Sequence, residues 1–267
     1  MFAYNDLTKN LRNIGMKKGS IIIVHSSYKS IGDVEGRAET VVQALINTVG
    51  IEGTILMPTF TYNFWAEDGD VFDKENTPSK TGVITEVFRN FPQVERSNHP
   101  THSVAVYGEY KESLIEAHND STALGKNSPF HLASKLGGYI ILIGCSFTSC
   151  SLIHTAEILG NVFYKDIFYF PAAHKKSSPY AKVKKGNKII KVLLQETPCC
   201  AESFYKLEPV ALKENKLQYG KVGNAKTLII KSDDLLNLAI NKIKDEPEFL
   251  LCDKGKCGIC DFRRRRR

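Results

Sequence analysis

The chain lacks any apolar run approaching the ~18 residues of a membrane-spanning helix, so no membrane span is expected. Met1-Phe-Ala-Tyr-Asn-Asp6 has neither a basic stretch nor an apolar core, so no export signal is expected and the compartment expected is the cytoplasm. There is no Gly/Ser-rich or Pro-rich linker and no internal repeat, which argues against strung modules or a solenoid. Neither sign of charge dominates once the C-terminus is set aside. Of 36 Lys and Arg residues, five form the run Arg263–Arg267, and the other 31 stand against 29 acidic residues. The formal +7 therefore belongs mostly to the terminus, and no nucleic-acid partner is inferred. The arginine run itself is expected to be a disordered end. Seven cysteines, an odd number without an export signal, are expected to be free thiols.

What is present is ordinary globular content. Hydrophobic residues make up 42% and charged residues 24% of 267, enough for one large α/β body with a sizeable core; no oligomeric state is implied. Three short all-apolar runs, residues 20–24, 53–57 and 139–143, read as strands buried on both faces. A helical pattern over 37–49 joins the first two, giving a βαβ unit with an expected right-handed crossover and a parallel pair. Helices are also predicted over 6–16, 81–90, 111–118, 130–136, 202–213 and from Ser232 to about Asp245, and strands over 103–107 and 227–230. Residues 181–194, broken by Gly186-Asn187, read as a hairpin.

The chemistry is read at the end of the third apolar run. Gly144 closes it, residues 145–149 are loop-like, and 151–160 read as a short helix capped by Ser151. His154 and Glu157, three apart, share a helical face, and Ser151 lies one turn earlier on the same face. A hydroxyl, an imidazole and a carboxylate thus gather where a strand runs into a helix, the end of an α/β sheet at which ligands bind. Taken alone, a helical histidine is as readily a packing residue. The 59–80 stretch is a long loop in which Tyr62, Phe64 and Trp65 alternate with Glu67, Asp68, Asp70 and Asp73. Acids among aromatics suit a wall for a cationic ligand, with Tyr62, Glu67 and Asp68 as the nominated contacts; a solvated acidic loop is the plain alternative.

Five pieces in order resemble the antibiotic N-acetyltransferase family, typified by aminoglycoside 3-N-acetyltransferases. They are His25-Ser26-Ser27, Gly53-Thr-Ile-Leu-Met-Pro58, Arg96-Ser-Asn-His-Pro100 with Ser103 and Gly108, Leu124-Gly-Lys-Asn-Ser-Pro129, and Ser151…His154-Thr-Ala-Glu157. The resemblance implies a three-layer α/β/α sandwich, with a mostly parallel central sheet and a smaller C-terminal α+β part. Residues 1–250 would form one domain, with the CoA-binding part in 1–160 and the smaller part in 161–250, followed by a Cys- and Arg-rich tail, 251–267. It implies an acetyl-CoA-dependent N-acyltransferase whose partner is a small-molecule amine, either an aminoglycoside or an amino sugar. It implies CoA contacts at Ser26, Ser27, Ser97, His99, Ser103 and Val104, where loop N–H groups and hydroxyls suit phosphates. His154 would be the general base and Ser151 an oxyanion donor, while Glu157 would fix the imidazole or enter the acceptor pocket. A further supporting carboxylate is open between Glu196 and Glu202. Cys150 and Ser151 stand where the family often has Asn and Thr.

Three rival readings accompany this one. Cys145 with His154 suggests a covalent acyltransferase or thiol hydrolase, against the plain reading of Cys145 as a small buried hydrophobe. Cys252-x4-Cys257-x2-Cys260, with Cys199-Cys200 brought near, suggests a structural zinc site, although no second CxxC or nearby His completes it and no metal is the favoured expectation. An inactive CoA-binding protein is the third.

Overall fold

The computed structural model describes residues 1–61, 71–119, 123–165, 180–194 and 200–265. The chain begins with α1 (Tyr4–Asn13), β1 (Ile21–Ser26), a single turn α2 (Tyr28–Ile31), α3 (Arg37–Val49) and β2 (Thr54–Pro58). There follow α4 (Val83–Arg89), a two-residue β3 (Glu95–Arg96), β4 (Val104–Gly108), α5 (Lys111–Asn119), α6 (Pro129–Lys135), β5 (Tyr139–Ile143) and α7 (Leu152–Leu159). The remainder supplies β6 (Tyr180–Lys185), β7 (Lys188–Leu193), α8 (Leu207–Lys213), β8 (Gln218–Val222), β9 (Ala225–Lys231), α9 (Ser232–Asp245) and α10 (Gly258–Arg264).

Among the described residues, seven strands form one sheet in the order β3-β4-β2-β1-β5-β9-β8, and β6-β7 stand apart as a hairpin. The α/β class holds, but the sheet is mixed, not mostly parallel. β1 is parallel to β2 and to β5, while β4, β3, β9 and β8 add on antiparallel. The connections explain the difference. Helical crossovers such as α3 return the chain in the same direction and build the parallel trio. β8 and β9 are instead joined through Gly223-Asn224, with Gly223 at φ +59°, a tight turn that forces an antiparallel pair. These two strands from the C-terminal part therefore complete the main sheet.

Strand periodicity divides the core into two. Ile22, Val24, Ile55, Met57, Ile141 and Ile143 face the layer of α1, α3 and α4, where Leu7, Leu11, Val42, Leu45 and Phe88 are buried. Ile23, Leu56, Ile140 and Leu142 face the opposite layer, with Leu114, Phe130, Leu152, Leu235 and Leu238. Burial of each such side chain contributes about 1.5–3 kcal/mol, so both helical layers are held chiefly by apolar contact with the strands. Ser128 accepts a hydrogen bond from the His131 N–H at the start of α6, with Pro129 in the first helical position. Ser232 does not cap α9; it is the first helical residue, and its hydroxyl donates to Gly138 O.

The arginine-rich end is not a free tail over its described length. Cys260 and Arg263, one helical turn apart on α10, are both buried. Arg264 pairs with Glu248 (2.7 Å) and Asp261 (3.1 Å). Among the described residues, no helix is long and apolar enough to cross a membrane.

Candidate active site

Because β1, β2 and β5 are parallel, their carboxyl ends lie at one edge of the sheet. Here His25 and Ser26 from β1, Pro58 from β2, the 145–151 loop and His154 of α7 line a cavity of about 370 Å³. Gly144 turns the chain from β5 into that loop. It sits at φ +67°, and a Cβ there would lie 2.4 Å from Ser30 Cβ, so glycine is required on both counts.

The predicted pair is formed. His154 Nδ1 lies 2.6 Å from Glu157 Oε2, and the Tyr164 hydroxyl donates to Glu157 Oε1 at 2.7 Å. Glu157 is only 5% exposed and is not on the cavity wall; both its oxygens are used behind the imidazole. Of its two suggested places, the contact present is the one with the imidazole. A carboxylate at Nδ1 favours the Nδ1–H tautomer, which leaves a lone pair on Nε2. Phe204 packs edge-on to the imidazole, with centroids 4.8 Å apart. Burial and the Glu157 charge push the Tyr164 phenol well above its usual value, so it stays a donor, and the Arg263 guanidinium lies 5.1 Å over its ring.

Ser151 lines the cavity, but the expected cap is absent. Its backbone is already helical at φ −63°, and its side chain makes no capping bond. Two histidines of the wall were not nominated from sequence. His25 stacks on Phe130, its Nε2 is buried without a partner, and burial lowers its pKa to about 4. His102 is bonded through Nδ1 to Thr101 Oγ1 (2.8 Å), and burial first, then neighbouring imidazoles, hold it well below its usual pKa. Both are therefore neutral near pH 7. The signal for His25 was its place in the last positions of a buried strand; His102 carried none.

The nominated CoA contacts separate. Ser26 is on the wall. The Ser27 N–H donates to Ile143 O (2.8 Å) and its hydroxyl accepts from Ser30 (2.9 Å). Ser97, Ser103 and Val104 are fully buried. Ser97 Oγ accepts from the Val104 N–H (3.0 Å) and bonds His118 Nδ1 (2.8 Å); Ser103 Oγ donates to Thr59 O (2.8 Å) and accepts from Arg96 Nε (3.0 Å). This corrects the expectation that these two hydroxyls face a ligand: they tie β4 to the loops around it. His99 stacks on His118, accepts from the His102 N–H through Nδ1 (3.1 Å), and is lowered to about 4 by burial, so it offers phosphate no positive charge.

Tyr62, Glu67, Asp68 and Glu196 lie outside the described residues. Glu202 is on the cavity wall. Cys145 is there too, but burial raises its thiol to about 12, leaving almost no thiolate at neutral pH and little support for a covalent mechanism.

The family model described as aminoglycoside 3-N-acetyltransferase matches residues 23–244, which span every element of this site except α10. The chain belongs to that family. The SPbeta prophage-derived aminoglycoside N(3')-acetyltransferase-like protein YokD of Bacillus subtilis is 30% identical over 253 residues, covering 87% of this chain and 89% of that protein. Aminoglycoside N(3)-acetyltransferase IV of Salmonella sp is 27% identical over 249 residues, covering 92% and 89%. The apoenzyme crystal structure of aminoglycoside acetyltransferase AAC(3)-IVa superposes with a TM-score of 0.83 at 25% identity, covering 100% of this chain and 98% of that one. This member of the aminoglycoside 3-N-acetyltransferase family is an N-acetyltransferase by class.

Proposed function

We propose that the protein transfers an acetyl group directly from acetyl-CoA to a primary amine of an amino sugar or aminoglycoside-like acceptor, with His154 as general base. The observation that carries this reading is the imidazole on the cavity wall with Nδ1 held by a buried carboxylate, itself held by Tyr164. An amine attacks the thioester carbonyl, and His154 Nε2 takes the proton that the new C–N bond releases. The tetrahedral oxyanion is met by the Ser151 hydroxyl on the cavity wall. Collapse breaks the C–S bond, and the imidazolium returns its proton to the leaving thiolate, so His154 ends as it began. Glu202 is the described carboxylate on the wall suited to an acceptor ammonium, and Ser26 is the nominated CoA contact that also lies there.

Aminoglycosides, free amino sugars and nucleotide-linked amino sugars should be screened by release of free CoA thiol. One acceptor class is expected to give amine-dependent release. Release at the same rate without amine would indicate hydrolysis and contradict transfer.

A further inference from the structure

Cys200, Cys252, Cys257 and Cys260 converge although 60 residues of sequence separate the first from the last. Their sulfur atoms all lie within 4.8 Å of one another, with Cys200 Sγ 3.5 Å from Cys252 Sγ and 3.6 Å from Cys257 Sγ. A disulfide requires sulfurs about 2.05 Å apart, and all four are free thiols. A zinc ion at about 2.3 Å from four tetrahedral sulfurs sets the sulfurs about 3.8 Å apart; two of the pairs here, at 3.5 and 3.6 Å, are already near that separation. We propose that these four cysteines form a tetrathiolate site for Zn²⁺ that staples the segment beginning at Cys200 to the C-terminal helix α10.

The surroundings suit such a site. The Cys252 N–H donates to Cys260 Sγ at 3.4 Å, the kind of amide support thiolate ligands receive. Four thiolates this close repel one another without a cation between them; metal binding would displace the remaining thiol protons to solvent. Cys252, Cys257 and Cys260 were visible in sequence at short spacing, with Cys199-Cys200 the segment expected near them. The fold supplies Cys200, and no histidine is needed.

The site is placed to matter for the cavity. Ala201 and Glu202 directly after Cys200 are on its wall, and Phe204 packs on His154. Arg263, three residues after Cys260, lies over Tyr164, which holds Glu157. Ser203 donates to Leu250 O, and Lys206 to Leu251 O (3.1 Å), joining the same two segments beside the thiols. A metal at the four sulfurs would therefore fix both the wall and the support of the histidine.

The full-length protein purified without chelator should carry about one zinc per chain by elemental analysis. After chelation, adding Co²⁺ alone should produce the intense thiolate-to-cobalt charge-transfer bands and visible d–d bands of a tetrahedral tetrathiolate site. Both signals should be lost in Cys257→Ser/Cys260→Ser and kept in Cys145→Ser. Amides of residues 200–206 and 258–264 should exchange faster after chelation, with β1 and β5 unaffected. A folded chain with no zinc and no cobalt spectrum, or mass spectra showing two disulfides among the four, overturns the site. Unchanged exchange on metal removal overturns the staple. The cobalt titration uses the native sequence, so it remains decisive if the double variant fails to fold.

Discussion

At the scale of single residues, the site is a chain of directed hydrogen bonds ending on one imidazole. His154 depends on Glu157, and Glu157 on Tyr164, each contact 2.6 or 2.7 Å long. A hydrogen bond to a charged group contributes about 1.5–3 kcal/mol, and 1.4 kcal/mol is a factor of ten in rate. Glu157→Gln is therefore expected to lower kcat by roughly 10- to 100-fold, because the amide no longer stabilises the imidazolium. Tyr164→Phe should lower it less, by about 3- to 10-fold, since the carboxylate remains. In both, steady-state kinetics should show the change in kcat with KM for acetyl-CoA little altered, because neither residue lines the cavity. His25 gives a prediction in stability. Its folded pKa of about 4 lies below the ordinary value of 6.5, so the unfolded chain takes up the proton first as pH falls. The contribution is complete above pH 6.5 and is lost downward to about pH 4, at about 1.4 kcal/mol per pH unit. Denaturant titrations across that window should show His25→Gln losing stability with acid less steeply than the native sequence; equal slopes would contradict the assignment.

At the scale of elements, the turn that ends β5 is the most demanding position. Gly144→Ala meets both a left-handed backbone and Ser30 Cβ at 2.4 Å, so a loss of roughly 1–3 kcal/mol is expected by chemical denaturation, with no change if the turn relaxes freely. The same element shows what the sequence makes legible. Tyr139–Ile143 and the helix after it were readable because an apolar run bounded by glycines and an i, i+3 polar pair are local signals. β8 was not, because Gln218-Tyr-Gly-Lys-Val has an exposed edge strand's polarity and carries no apolar period. α10 was hidden by its own composition. A run of arginines reads as solvated, and only the fold shows Cys260 buried in one cluster with Cys200 and Phe204, and Arg263 over Tyr164.

At the scale of the whole molecule, function rests on direction. Three strands running the same way deliver His25, Pro58 and the Gly144 loop to one edge, and α7 begins there. The three apolar runs were readable in advance as buried strands, and the α3 crossover as making the first two parallel. The antiparallel flanks were not, since pairing sense is set by the connection more than by composition. The proposed CoA contacts divide for a related reason. A serine in a strand-to-loop motif looks the same whether it faces ligand or neighbour, and only packing shows Ser97 and Ser103 turned inward while Ser26 faces the cavity. The most direct test of the account compares His154→Ala with the native enzyme on the best acceptor found, measuring kcat by thiol release and acetyl-CoA affinity by calorimetry. The account predicts kcat lower by at least ~100-fold with affinity changed little. Undiminished turnover in the alanine variant would contradict it.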